Sequence, residues 1–147
     1  MIVREAESVD AAAIEALYRS FVRNPAIHVT PERIAEIRSD AMNHLLVADD
    51  GVRVVGTAHV TMCMDAMFGS RPYAVVENIV VAEDARRQGV GRQLVAHIEG
   101  LARSIACSKI MLLSSVERSD AHRFFRREGF DDRRKVGLVK YLSAPSR

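Results

Sequence analysis

Tyr73-Ala74-Val75-Val76-Glu77-Asn78-Ile79-Val80-Val81-Ala82-Glu83-Asp84-Ala85-Arg86-Arg87-Gln88-Gly89-Val90-Gly91 decides the fold. Residues 73–81 place Val, Ile and Ala on both faces of an extended run, the pattern of a strand covered on two sides, and so predict a central strand. From Gly91 onward, Leu94, Val95, Ile98, Leu101, Ala102 and Ile105 recur at helical spacing. Between strand and helix lies a turn with two glycines and, at its rim, Arg86 and Arg87. A helix N-terminus offers unpaired N–H groups and a partial positive charge, and glycine lets the backbone approach an anion without a Cβ in the way. The turn therefore predicts an anion site, against the plainer alternative of glycines serving turn geometry alone.

On the N-terminal side, residues 1–5 read as a short strand. Ser8 or Asp10 caps a helix whose Ile14, Leu17, Tyr18 and Phe21 share one face, and Asn24-Pro25 ends it. Thr30-Pro31-Glu32 is a second helix start, with a capping hydroxyl, proline at the first helical position and an acid in the first turn. Residues 44–48 and 52–62 are β-rich and flank Asp49-Asp50-Gly51, so they predict an antiparallel pair. Residues 65–72 read as a loop. On the C-terminal side follow a strand over 109–116, a short helix over 119–128 opened by Ser119 and Asp120 and closed by Gly129, and a last alternating strand over 136–142. Gly100, inside the long helix, costs about 1 kcal/mol relative to Ala and has no visible purpose.

The order βααβββαβαβ describes one α/β (α+β) domain over residues 1–147, a mixed central sheet flanked by helices. The chain of 147 residues is long enough for one core, and 48% apolar against 27% charged residues is a globular balance. A net charge of +2 is too even to imply a nucleic-acid partner, and no apolar run approaches the ~20 residues needed to cross a bilayer. Two distant cysteines and no signal-peptide pattern lead us to expect a reducing cytoplasm. His28, His44, His59 and His97 have no ligand spacing with the cysteines, so no metal site is expected.

The better-known nucleotide motifs do not fit the turn. A P-loop needs four residues between its glycines followed by Lys-Ser/Thr, and a dinucleotide fingerprint wants a small residue where Leu94 stands and an acid near Met111. The segment does match Arg/Gln-x-x-Gly-x-Gly/Ala, as Arg86-Arg87-Gln88-Gly89-Val90-Gly91. Here the sequence resembles the GCN5-related N-acetyltransferase (GNAT) family, and Ala121-His122-Arg123-Phe124-Phe125-Arg126-Arg127-Glu128-Gly129-Phe130 is similar to that family's penultimate helix and its Gly-Phe ending. The resemblance implies acetyl-CoA as co-substrate. Its pyrophosphate would rest on the backbone of Arg86, Arg87, Gln88, Gly89, Val90, Gly91 and Arg92, and its pantetheine arm would pair with Asn78, Ile79, Val80 and Val81, with a further contact from Ser119. It also implies an acceptor amine, a small molecule by the likeness of the chain's end to small-molecule amine acetyltransferases.

Acetyl transfer to an amine requires a held thioester, a polarised carbonyl, an acceptor for the amine proton and a donor for the thiolate. Glu77 interrupts an apolar strand, and strict alternation places it with Val75 and Ile79 while Asn78 faces the other way. Burial would raise its pKa and suit it as general base; the alternative is a structural ion pair. Relatives carry a tyrosine as general acid where Phe125 stands, leaving Tyr73, Tyr141, Ser115, Ser119 or solvent. Three further readings stay open: a non-catalytic coenzyme A module, a protein-directed enzyme, and an RNA-directed one using Arg123 to Arg127 and Arg133 to Lys135. A homodimer is compatible with each, and the sequence does not choose.

Overall fold

The computed structural model describes residues 1–143. β1 (Ile2–Glu5) leads through a 3-10 turn at Ser8–Asp10 into α1 (Ala11–Phe21), followed by α2 (Pro31–Ser39), β2 (Asn43–Asp49), β3 (Val54–Cys63), β4 (Tyr73–Val81), α3 (Val90–Ser104), β5 (Ile110–Leu112) and α4 (Ser119–Arg127). Five strands form one mixed sheet in the order β1-β2-β3-β4-β5, antiparallel except for the last pair. The parallel pair is the one whose connection contains α3, since a parallel crossover needs room for a helix.

The first two α-helices start differently, and one departs from expectation. Thr30 Oγ1 accepts from Arg33 N at 3.1 Å with Pro31 at the first helical position. Asp10 precedes α1 but does not cap it; its carboxylate takes Glu7 N at 2.7 Å and both guanidinium nitrogens of Arg4 at 2.8 and 3.0 Å. That pairing lowers the Asp10 pKa, chiefly through the Arg4 hydrogen bonds against the opposing effect of burial. Asp49 joins the same arginine at 3.2 Å, tying β1 to β2.

The sheet is covered on both faces. Ile14 of α1 and Ile34 of α2 pack with Leu45 and Val47, while Leu94 and Ile98 of α3 pack with Leu46, Ala58, Val60 and Val76. Leu94 and Ile98 are almost fully buried, each stabilising the fold by about 1.5–3 kcal/mol. β3 meets α3 closely at Gly56, where an added Cβ would lie 2.9 Å from Val90 Cγ1, 3.2 Å from Leu94 Cδ1 and 3.2 Å from the Val80 carbonyl.

Two expectations fail at the C-terminal end. β5 stops at Leu112 instead of running to 116, because the chain turns away through Ser115, whose carbonyl accepts from Arg118 N. Residues 136–142, expected as a last strand, are irregular and largely exposed. They pass beside Leu113, which a Cβ on Gly137 would overlap, yet form no ladder. Their alternation is real, but a strand needs a partner edge, and three residues of β5 supply little.

Candidate active site

β4 does not keep its alternation. His59 of β3 pairs with Glu77, and Thr57 pairs with Val80, so three residues of β4 span what two span on β3. The extra residue is a bulge, and at its centre Asn78 has φ +55°, a conformation asparagine tolerates better than most residues. The bulge corrects the expected faces: Glu77 now shares its face with Val80 rather than with Ile79. Both Glu77 and Asn78 are exposed. Glu77 is therefore not buried, and no described residue bonds to its carboxylate, so neither the burial argument nor the structural ion pair applies to this conformation.

The bulge also opens the sheet. β4 pairs with β5 only at Ala74, Val75 and Val76, leaving the outer edge of residues 77–81 without a strand among the described residues. That edge, about 16 Å long at 3.3 Å per residue, runs from the bulge toward the turn before α3. In that turn Arg87 has φ +63° and Gly89 φ +80°, and a Cβ on Gly89 would meet nothing within 4 Å. The backbone N–H groups of residues 87 to 92 donate to no acceptor among the described residues; Gln93 N is the first of the helix to bond, to Gly89 O at 3.0 Å. Gln88 braces the loop by donating from Nε2 to Asp84 O at 3.2 Å. Arg86, Arg87, Gln88 and Arg92 are exposed around it, while the Val90 side chain is buried. Unpaired amides at a helix N-terminus rimmed by arginine form an anion cradle.

α4 is seated against this cradle. Phe124 Cζ lies 3.1 Å from where a Gly91 Cβ would stand, so the glycine here permits ring-to-backbone contact. Phe125 is buried, edge-on to Phe124 at 5.1 Å and to Phe130 at 5.7 Å, a core residue with no proton to give. Ser119 is the first residue of α4 rather than its cap; Arg118 holds the cap position with no side-chain capping bond.

On the other side of the bulge, Tyr18, Phe21, Val22 and Ile27 line a depression with Asn78. Burial raises the Tyr18 pKa, opposed by a hydrogen bond with the Thr57 side chain. Arg19 Nη2 donates to Ile27 O at 2.7 Å and holds the loop in place. The sequence pattern had placed Tyr18 and Phe21 on one helix face without showing that the bulge would leave a hollow beside them. Next to it on the sheet, His59 Nε2 lies 3.0 Å from Asn43 Oδ1, which also accepts from Thr61 Oγ1 at 2.9 Å. Burial, and secondarily His44, lowers the His59 pKa.

Other candidates separate from this region. Cys107 Sγ sits 3.7 Å from Met62 Sδ, and burial raises its pKa, the opposite of an activated nucleophile. Among the described residues, no group of three or more His, Cys, Asp or Glu could hold a metal, and no helix is long and apolar enough to cross a membrane.

Comparison with known proteins agrees with the geometry. The profile of the Acetyltransferase (GNAT) family matches residues 11–130. The chain is 30% identical over 148 residues to an aminoglycoside N(6')-acetyltransferase type 1 of Stenotrophomonas maltophilia, covering 98% of this chain and 95% of that protein. Over 55 residues, 37% of this chain and 36% of the other, it is 38% identical to the aminoalkylphosphonate N-acetyltransferase of Salmonella typhimurium. A solved structure from Agrobacterium tumefaciens superposes with TM-score 0.84 at 26% identity, covering 96% of this chain and all of that one. The chain belongs to the acetyltransferase (GNAT) family and is an N-acetyltransferase.

Proposed function

We propose that the protein moves acetyl from acetyl-CoA to a primary amine of a small molecule by direct attack in a ternary complex. The observation that carries this reading is the unpaired edge of β4 running from the bulge toward six unpaired amides. Such an edge suits the amide-bearing pantetheine arm, and such a cradle suits a pyrophosphate. Bound acetyl-CoA would supply an activated thioester. The backbone of Asn78, Ile79, Val80 and Val81 holds the arm, and an N–H of the open edge polarises the carbonyl. Arg86, Arg87, Gln88, Gly89, Val90, Gly91 and Arg92 hold the phosphates through backbone and rim charge. Ser119, at the start of α4, adds a contact to the arm.

Glu77 takes the proton of the incoming ammonium, directly or through water, from its exposed position at the bulge. Phe125 cannot protonate the departing thiolate, which solvent at this open edge can reach. The names of the relatives support a small-molecule amine as acceptor. The test is Glu77→Gln. Turnover should fall about 10²–10⁴-fold with acetyl-CoA affinity by calorimetry unchanged; unchanged turnover removes Glu77 from the mechanism.

A further inference from the structure

We infer that Arg118 selects acceptor amines carrying a nearby anionic group, a carboxylate or phosphonate, over polycationic ones. This deepens the acetyl-transfer reading and rests on it. The Arg118 guanidinium carbon stands 4.1 Å from the centroid of the Phe21 ring, and Phe21 lines the hollow beside Asn78. Its backbone is fixed at the cap of α4, with N donating to Ser115 O at 3.0 Å and O accepting from His122 N at 3.0 Å. A planar cation stacked on an aromatic ring keeps its in-plane N–H fork free for an oxyanion.

That fork is unclaimed. Among the described residues, no carboxylate lies within ion-pair distance of Arg118, although exposed arginines elsewhere find one, as Arg53 does in Asp84 at 2.6 Å and Arg126 in Asp132 at 2.7 Å. Arg19, on the same helix as Phe21, is occupied by Glu15 and by the Ile27 carbonyl. The side chains lining the hollow, Tyr18, Phe21, Val22, Ile27 and Asn78, are uncharged at neutral pH. A polycation needs several carboxylates at its site, whereas the side chains lining the hollow carry none, Glu15 beside it is taken by Arg19 and His28, and Arg118 adds a cation on Phe21. The arrangement suits an amine held near Glu77 with its anion turned to Arg118.

The test compares steady-state rates with acetyl-CoA for β-alanine and 2-aminoethylphosphonate, for the uncharged-tail isostere β-alaninamide, and for spermidine. We expect kcat/KM for the two anion-bearing amines to exceed that of β-alaninamide and spermidine by about tenfold or more, the ratio that ~1.4 kcal/mol of charge-assisted bonding provides. Arg118→Gln should bring the ratio within about twofold of unity, leaving the β-alaninamide rate and the acetyl-CoA KM unchanged. Circular dichroism confirms that the variant is folded. A preference for spermidine or β-alaninamide overturns the inference while acetyl transfer stands. So does an Arg118→Gln variant that weakens acetyl-CoA and all amines alike, since that places Arg118 on the cofactor. Absence of both acetyl-CoA binding and thiol release with every amine overturns the transferase reading and this inference together.

Discussion

Replacing Gly56 by alanine tests how the core positions the turn proposed to hold the cofactor. The new Cβ would meet Val90 Cγ1 at 2.9 Å, Leu94 Cδ1 at 3.2 Å and the Val80 carbonyl at 3.2 Å. Val90 and Leu94 are 3% and 0% exposed, so neither side chain has room to swing away, and the carbonyl belongs to the ladder. Overpacking of this kind costs about 1–3 kcal/mol. For a chain of 147 residues the unfolding entropy makes each 1 kcal/mol worth about 3 °C, so the midpoint should drop by about 3–10 °C. Because Val90 opens α3 in the middle of the unpaired amides, relief of the clash pushes the helix start outward and weakens acetyl-CoA binding as well. Gly100→Ala in the same helix is the control: a Cβ there meets nothing within 4 Å, and stability should rise by up to about 1 kcal/mol. Thermal and urea unfolding measure the first effect and calorimetry the second. A Gly56→Ala protein as stable as the parent would refute the packing argument; a destabilised one with unchanged affinity would refute the link from β3 to the cradle.

Arg4→Met strands the Asp10 carboxylate, whose side chain is 7% exposed, and should cost about 3 kcal/mol at neutral pH by urea unfolding. The folded Asp10 pKa lies below its unfolded value, so its contribution is present above about pH 4 and disappears as pH falls through the folded value. The gap between parent and variant should therefore shrink in acid. His59 acts in the same direction in a higher pH window: its folded pKa is depressed, so the unfolded chain binds a proton first as pH falls below about 6.5 and stability drops there by at most ~1.4 kcal/mol per pH unit. His59→Gln should flatten the stability profile between pH 7 and 5, and an unchanged slope would exclude His59 as its source.

What could be seen from sequence was local. β4 was legible over its full length because covering on both faces writes apolar residues at every position except Glu77 and Asn78. The turn before α3 was legible as a turn because its glycines sat between two recognisable elements, and Thr30-Pro31 because a cap is a contact within one turn. What escaped depends on partners distant in the chain. Alternation in 136–142 names faces but not a neighbouring edge, and the face of Glu77 follows from β3 holding one residue fewer than β4 across the bulge. The hollow of Tyr18 and Phe21 becomes visible only once α1 lies over that bulge, and Arg118 meets Phe21 from nearly a hundred positions away. Ser119 was mistaken for a cap because Arg118 starts α4 without a side-chain bond, a choice sequence preferences do not encode.

The bulge at Asn78 has a consequence for how this site can change. It is a surplus of one residue in the strand, a matter of chain length rather than of chemistry. Side chains around it can drift without closing the gap, and glycine could stand in for asparagine at a positive φ. Removing a single residue between positions 77 and 80 would let β4 pair straight through with β3, with Val80 still opposite Thr57, and would erase the bulge itself. Variation in this region should therefore be free in letters and intolerant of deletion.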